Sequence, residues 1–314
     1  MAHAALSPHF RVERLAPGVH AAVATRNGAG LCNSGIVDLG GASVVFDTML
    51  TPAAGHDLAR AAERRTGAAP TWIVNSHYHG DHIWGNGSFP ASHVVSSRRV
   101  RDAVLERSQR QLDACRREFP VALKEIDGPD SSVDPIDREQ VRAWFLGVIE
   151  SPPSMRIVPP EVTFRRELRL EGRRRSLDLY TWGGGHSPSD VVAYLPEERI
   201  LFAGDLVLNG YHPSMGDGYP REWRRILGEI SDLKIDRLVP GHGPVADRHS
   251  LDESIRYHRD LRALVARARQ GGSSTRAIRR LPLPVRYADL RFRMMWAENV
   301  ARVEREVRAG STAG

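Results

Sequence analysis

Lysine and cysteine are almost missing from this chain, and no apolar run approaches the length of a membrane span. Of 44 basic residues only Lys124 and Lys234 are lysines, so arginine carries the positive charge. Cys32 and Cys115 are the only cysteines, which excludes a disulfide framework and points to a reducing, cytoplasmic setting. Crossing a bilayer takes about 20 consecutive apolar residues, and no stretch offers them, so no membrane association is expected. The start, MAHAALSPHFRVERLAPG, lacks the basic-then-apolar order of a secretory leader. A net charge of +6 could suit nucleic acid, but its placement does not. Residues 221–308 hold 20 Arg/Lys against 12 Asp/Glu, whereas 106–166 hold ten against eleven. A solvated basic face is the simpler reading, and a nucleic-acid partner is not expected.

What is present is a chain of 314 residues with 41% hydrophobic content, enough for one large domain or two small ones. Short strands are predicted over 10–15, 19–24, 35–39 and 43–47, with a mobile loop at 24–35 and a helix over 52–66. Strands follow at TWIVNS (71–76) and SHVVSS (92–97), then a helix over 98–117. Residues 118–161 are rich in Pro and Asp and read as an insertion with one short helix at 137–148. TFRRELRLEG reads as a strand, SLDLYTW as another, and VVAYLPEERILFAG as a hairpin. A helix over 220–233 leads to a last strand, RLV. Beyond Arg248, Leu251, Ile255, His258, Leu261 and Val265 form a helical stripe, and Leu290, Met294, Ala297 and Ala301 mark a further helix. Both stripes read as faces packed on a core, with His258 structural.

The chemistry is concentrated elsewhere. The stretch SHYHGDH (76–82) places three histidines and an aspartate within six positions, directly after the apolar TWIV. Three more apolar strands end in the same way: LDLYTW before Gly-Gly-Gly-His186, ILFAG before Asp205, and RLVPG before His242. Glycines beside His186, Asp205 and His242 let the backbone turn sharply there. Five histidines and two aspartates suffice for two ions, each with three or four protein ligands and an open position. Asp205 is the carboxylate placed to bridge them.

Taken in order, H-x-H-x-D-H, G-H-S-P, G-D and P-G-H-G resemble the metallo-β-lactamase-fold hydrolases. GDHIWGN (80–86) and NGYHPSMGDG (209–218) further resemble the cyclase-like or quinoprotein-relay-type subgroup. The resemblance implies an α+β fold, a four-layer αββα sandwich over residues 1–248, with 249–314 as a C-terminal helical extension packed on it. It also implies that His77, His79 and His186 hold one metal, that Asp81, His82 and His242 hold the other, and that Asp205 lies between. The expected cofactor is two zinc ions, with manganese or iron as candidates at either site. True β-lactamases of this fold usually have Cys or Ser at the position of Asp205, and Ser189 stands where Gly usually follows G-H-S-P.

The expected reaction is attack by a bridging hydroxide on an ester, thioester, lactone or related bond of a small molecule. Asp81 would orient the hydroxide and take its proton. Ser187 and Ser189 read as turn residues, and His212 and Asp217 as candidate substrate contacts. Two rivals share these motifs. One is a mononuclear non-haem iron dioxygenase acting on a sulfur substrate through His77, His186 and Asp205; the other is a nuclease or phosphodiesterase. Homo-oligomerisation is left open.

Overall fold

The computed structural model of the protein describes residues 7–129 and 131–311. Strands β1 (Phe10–Ala16), β2 (Val19–Ala24), β3 (Ser34–Asp38) and β4 (Ser43–Phe46) form an antiparallel meander. Strands β5 (Trp72–Val74), β6 (His93–Ser97) and β7 (Val162–Phe164) extend it in parallel to a seven-stranded sheet. The second sheet has five strands, β8 (Glu167–Glu171), β9 (Ser176–Tyr180), β10 (Val192–Leu195), β11 (Ile200–Gly204) and β12 (Arg237–Pro240), with only the last pair parallel.

Alternation along the strands builds the layers, because successive side chains leave a strand on opposite faces. Val37, Val44, Phe46, Val74 and Val95 of the first sheet meet Leu179, Ala193, Phe202 and Val239 of the second in the central core. Their neighbours Ile36, Val45, Ile73 and Val94 point outward and pack on helix α1 (Pro52–Thr66). Thr51 caps α1 by accepting from the Ala54 N–H, Pro52 opens it, and Gly67 ends it in the left-handed region at φ 83°. On the other side Val192, Leu201, Ala203 and Leu238 share a third cluster with residues 223–230 and with the helices that follow Arg248. The order is therefore helix, sheet, sheet, helix.

The remaining helices are α2 (Gly80–Ile83), α3 (Arg98–Ala103), α4 (Gln109–Asp127), α5 (Pro135–Ile149), α6 (Pro220–Ser231), α7 (Arg248–Gln270), α8 (Thr275–Ile278) and α9 (Met295–Ser311). No helix among the described residues is long and apolar enough to cross a membrane.

Four expectations need correcting. The helix expected over 98–117 runs on to Asp127, through a π turn at Val104–Ser108 and past Pro120. Leu112, Phe119 and Ile126 keep one face buried across the proline, and that packing outweighs its lost hydrogen bond. TFRRELRLEG is two strands, β7 at the edge of one sheet and β8 at the edge of the other, so the chain changes sheets at the exposed Arg165 and Arg166. The last helix is out of phase with its predicted stripe: Leu290 and Met294 precede it, Ala297 is exposed, and Trp296, Val300 and Val303 are buried instead. The loop at 24–35 is tied down rather than loose. Asn33 donates to the carbonyls of Pro240 and Gly243, and the Leu50 N–H donates to the Gly30 carbonyl.

Candidate metal centre

Each candidate ligand follows the carboxyl end of a strand. After β5 come His77 and His79, and the short α2 presents Asp81 and His82. His186 follows β9, Asp205 follows β11, and His242 follows β12. β4 and β5 are parallel, as are β11 and β12, so these loops gather at one edge of the sandwich. Gly241 is required by that closeness. A Cβ there would stand 1.9 Å from the Asp205 Oδ1.

The seven side chains meet as two sets joined by one carboxylate. In the first set, His79 Nδ1 lies 3.0 Å from His77 Nε2 and 3.0 Å from His186 Nε2. In the second, Asp81 Oδ2 lies 3.5 Å from His82 Nε2 and 3.3 Å from His242 Nε2. Asp205 reaches both: Oδ2 is 3.4 Å from His186 Nε2, while Oδ1 is 3.3 Å from His82 Nε2 and 3.4 Å from His242 Nε2. The ligand atoms of His77, His79 and His186 all lie within 4.8 Å of one another, as do those of Asp81, His82 and His242.

These residues fit a metal. His82 Nε2 and Asp205 Oδ1 are buried with no hydrogen-bond partner. Orphaned buried polar atoms are costly, and a cation between them removes the cost. Imidazole and carboxylate are the donors that zinc, manganese and ferrous iron accept. The electrostatics agree. Burial works to raise the Asp81 carboxyl, but His82 and His242 outweigh it and bring it down to about 2. Burial is likewise overcome at Asp205, where His242 and His82 hold the carboxyl well below its usual range. Burial brings His186 down to about 4 and, with the neighbouring imidazoles, holds His77 far below its usual value. His77 and His186 are thus held neutral, while Asp81 and Asp205 are carboxylates that demand positive charge beside them.

The far side of each ring is also engaged, which fixes its orientation. His77 Nδ1 is 2.9 Å from Ser76 Oγ, His186 Nδ1 is 3.0 Å from the Ser214 carbonyl, and His242 Nδ1 is 3.1 Å from the Leu31 carbonyl. His82 Nδ1 lies 2.7 Å from Asp47 Oδ2, and His79 Nε2 lies 3.4 Å from Asp217 Oδ2. Asp47, at 0% exposure, also accepts from the Ser76 N–H and hydroxyl. Sequence reasoning missed it, yet the signal was available: it ends the apolar VVF of β4 just as the ligands end their strands. It also missed Tyr78, whose hydroxyl donates to Asp217.

Beside the ligands lies a cavity of about 280 Å³, walled by Leu31, Trp84, Trp144, Leu208, Tyr211 and Phe292, with no Arg or Lys in its lining. His212 reaches this wall. Tyr257 engages its Nδ1 at 2.9 Å, its Nε2 is buried without a partner, and burial brings it down to about 4. Asp217 stands elsewhere: it is absent from the lining, and Tyr78 and His79 occupy its carboxylate. That carboxylate thus holds a ligand histidine, a role the sequence reading did not give it. Ser187 closes a turn by donating to the Ser189 carbonyl at 2.7 Å. His258 is buried against Trp223 with ring centroids 4.6 Å apart, and the Trp223 ring in turn lies 5.3 Å from that of His186.

Comparison with known sequences agrees with this arrangement. A sequence profile described as the Metallo-beta-lactamase superfamily matches residues 27–242, which span all seven residues. The chain belongs to this superfamily. Within it, a linear primary-alkylsulfatase of Pseudomonas sp. (strain ATCC 19151) is 26% identical over 212 residues, 62% of this chain and 38% of that protein. A metallo-beta-lactamase type 2 of Bacillus cereus is 35% identical over 79 residues, 22% of this chain and 31% of that protein. The chain thus spans less than two fifths of the length of either relative. Among solved structures, a metallo-beta-lactamase from Pontibacter korlensis aligns with a TM-score of 0.59 at 20% identity, covering 80% of this chain and 99% of that one. One from Hirschia baltica gives 0.57 at 15% identity, covering 79% and 97%. At such identities these structures establish the fold alone.

Proposed function

We propose that this protein is a metal-dependent hydrolase that uses a dinuclear centre to cleave an ester, thioester, lactone or related bond of a small molecule. One observation carries the reading: Asp205 turns one carboxylate oxygen to each ligand set, at 3.3–3.4 Å. His77, His79 and His186 would hold one ion, and Asp81, His82 and His242 the other. Two zinc ions are the favoured pair, with manganese or iron as the other candidates. When bound, such ions supply Lewis acidity that lowers the pKa of water and stabilises charge on a carbonyl or related oxygen.

The chain's own residues do the rest. The Asp81 carboxylate is ionised across the working pH range and is placed to accept the proton of the attacking water. His212 lines the same cavity and is the candidate substrate contact there. The apolar walls exclude bulk water, which strengthens every charge interaction inside. Ser187 is committed to its turn and is not a nucleophile. The partial likeness to an alkylsulfatase adds sulfate esters to the bonds worth screening.

Elemental analysis of protein purified without a metal-binding tag is the test. About two zinc (or zinc plus manganese) per chain, with turnover on an ester, thioester, lactone and sulfate-ester panel, is the expected result. One iron per chain with oxygen uptake would overturn it. Asp81→Ala should cost at least about 10²-fold in kcat/KM, while Ser187→Ala leaves it within a few-fold; equal losses would remove Asp81 from its role.

A further inference from the structure

We infer that the substrate of this centre carries an unbranched apolar tail, which runs from the metal cavity past Trp144, Phe292 and Met295 into a second chamber beneath α4 and α5. This rests on the hydrolase reading and names the substrate class for it.

The second chamber is the larger of the two, about 520 Å³ against about 280 Å³. Ala122 and Ile126 of α4, Val141 and Phe145 of α5, and Val133 between the helices line it. Trp144, Phe292 and Met295 line both chambers, so the two share a wall. Most of the polar side chains line the first chamber, and the second adds Glu125, Ser131 and Ser132. The ligands and His212 line the first chamber, and among the described residues Glu125 is the one ionisable side chain lining the second. In a chain with 44 Lys/Arg, neither lining contains one. A second chamber lined mainly by apolar side chains suits a hydrocarbon chain. A peptide would bury N–H and C=O groups there without partners.

The junction is held in place. Phe292 has φ 59°, a left-handed conformation that a bulky residue adopts only where its surroundings impose it. Here Asp137 Oδ2 accepts from the Phe292 N–H at 2.7 Å, while Asp137 Oδ1 pairs with Arg291 Nε at 3.0 Å. Both members of that pair are buried, at 0% and 6% exposure. Arg291 also donates to the Tyr211 hydroxyl at 3.2 Å, which ties the same pair to a wall of the first chamber. Against these fixed rings Met295 is the adjustable element, its flexible thioether suited to letting a chain pass.

The test measures binding of straight-chain alcohols, 1-butanol through 1-decanol, by calorimetry on the full-length, metal-loaded protein. These probes are neutral, so their binding does not depend on which bond the enzyme cleaves. Affinity should tighten about two- to fourfold per added methylene until the second chamber is filled. Ser132→Trp on the chamber rim and, independently, Ala122→Trp on α4 should stop that gain at a shorter chain and leave 1-butanol unchanged. No gain beyond 1-butanol, or a gain that survives in both folded variants, would overturn the tail site. Length-dependent binding with no hydrolysis of any panel substrate would instead defeat the hydrolase reading. Hydrolysis without length dependence would defeat the tail site alone.

Discussion

His79 and His82 stand three residues apart in one turn, yet their supports live in different surroundings. The carboxylate behind His82 belongs to Asp47, and both side chains are 0% exposed. The one behind His79 belongs to Asp217, and those side chains are 20% and 47% exposed. Breaking a buried pair strands a charge away from water and costs about 3–5 kcal/mol, whereas exposed pairs are worth about 0–1 kcal/mol. The same device, a carboxylate orienting an imidazole, is therefore part of the fold on one side of the centre and an adjustable fitting on the other.

The comparison can be broken first where the two sets join. Asp205→Ala should reduce bound metal to below one ion per chain and lower kcat/KM by about 10²–10³-fold. Gly241→Ala should do the same without touching a ligand, because its Cβ would collide with Asp205 Oδ1. If metal analysis found both ions retained in these variants, the joined-centre description would fall.

Next in size is Asp47→Ala, expected to cost about 3–5 kcal/mol in urea unfolding of the metal-free protein and to weaken metal binding as well. A variant as stable as the parent would erase the contrast with Asp217.

His258 sharpens the contrast from another direction, as a buried imidazole with no carboxylate partner. Burial, helped by the charge of Arg224, brings it down to about 3. The folded protein keeps it neutral while the unfolded chain takes up a proton below about pH 6.5. Its contribution is therefore intact above that value and is lost as pH falls from about 6.5 towards 3. At pH 5 the loss is about 2 kcal/mol. His258→Phe should flatten the fall in stability between pH 7 and 5, read by denaturant titration; an unchanged slope would assign it to other groups.

The smallest effect is expected for Asp217→Asn, about a tenfold loss of metal affinity with the Tm of the metal-free protein unchanged. A large fall in that Tm would show that Asp217 supports the fold as Asp47 does.

Much of the centre was legible in the sequence for a simple reason. Ligands crowded onto strand ends leave a local pattern, an apolar run followed at once by His or Asp. The sandwich came from the resemblance those motifs carry, since Val44, Val45 and Phe46 are all apolar and only the structure turns Val45 towards α1. What escaped depends on partners far apart in the chain. No local pattern says that Asp217 holds His79 rather than substrate, because the Tyr78 hydroxyl that helps to fix it lies 139 residues away. Nor does it show Pro120 inside a helix, which long-range packing of Phe119 and Ile126 permits.

By itself the sequence determined the donor inventory and the strand ends that carry it, because both are written in the spacing of neighbouring residues. Only the tertiary structure decided which carboxylate is buried behind which imidazole, and where the apolar chambers lie. Those depend on distances between segments that meet only once the core has closed.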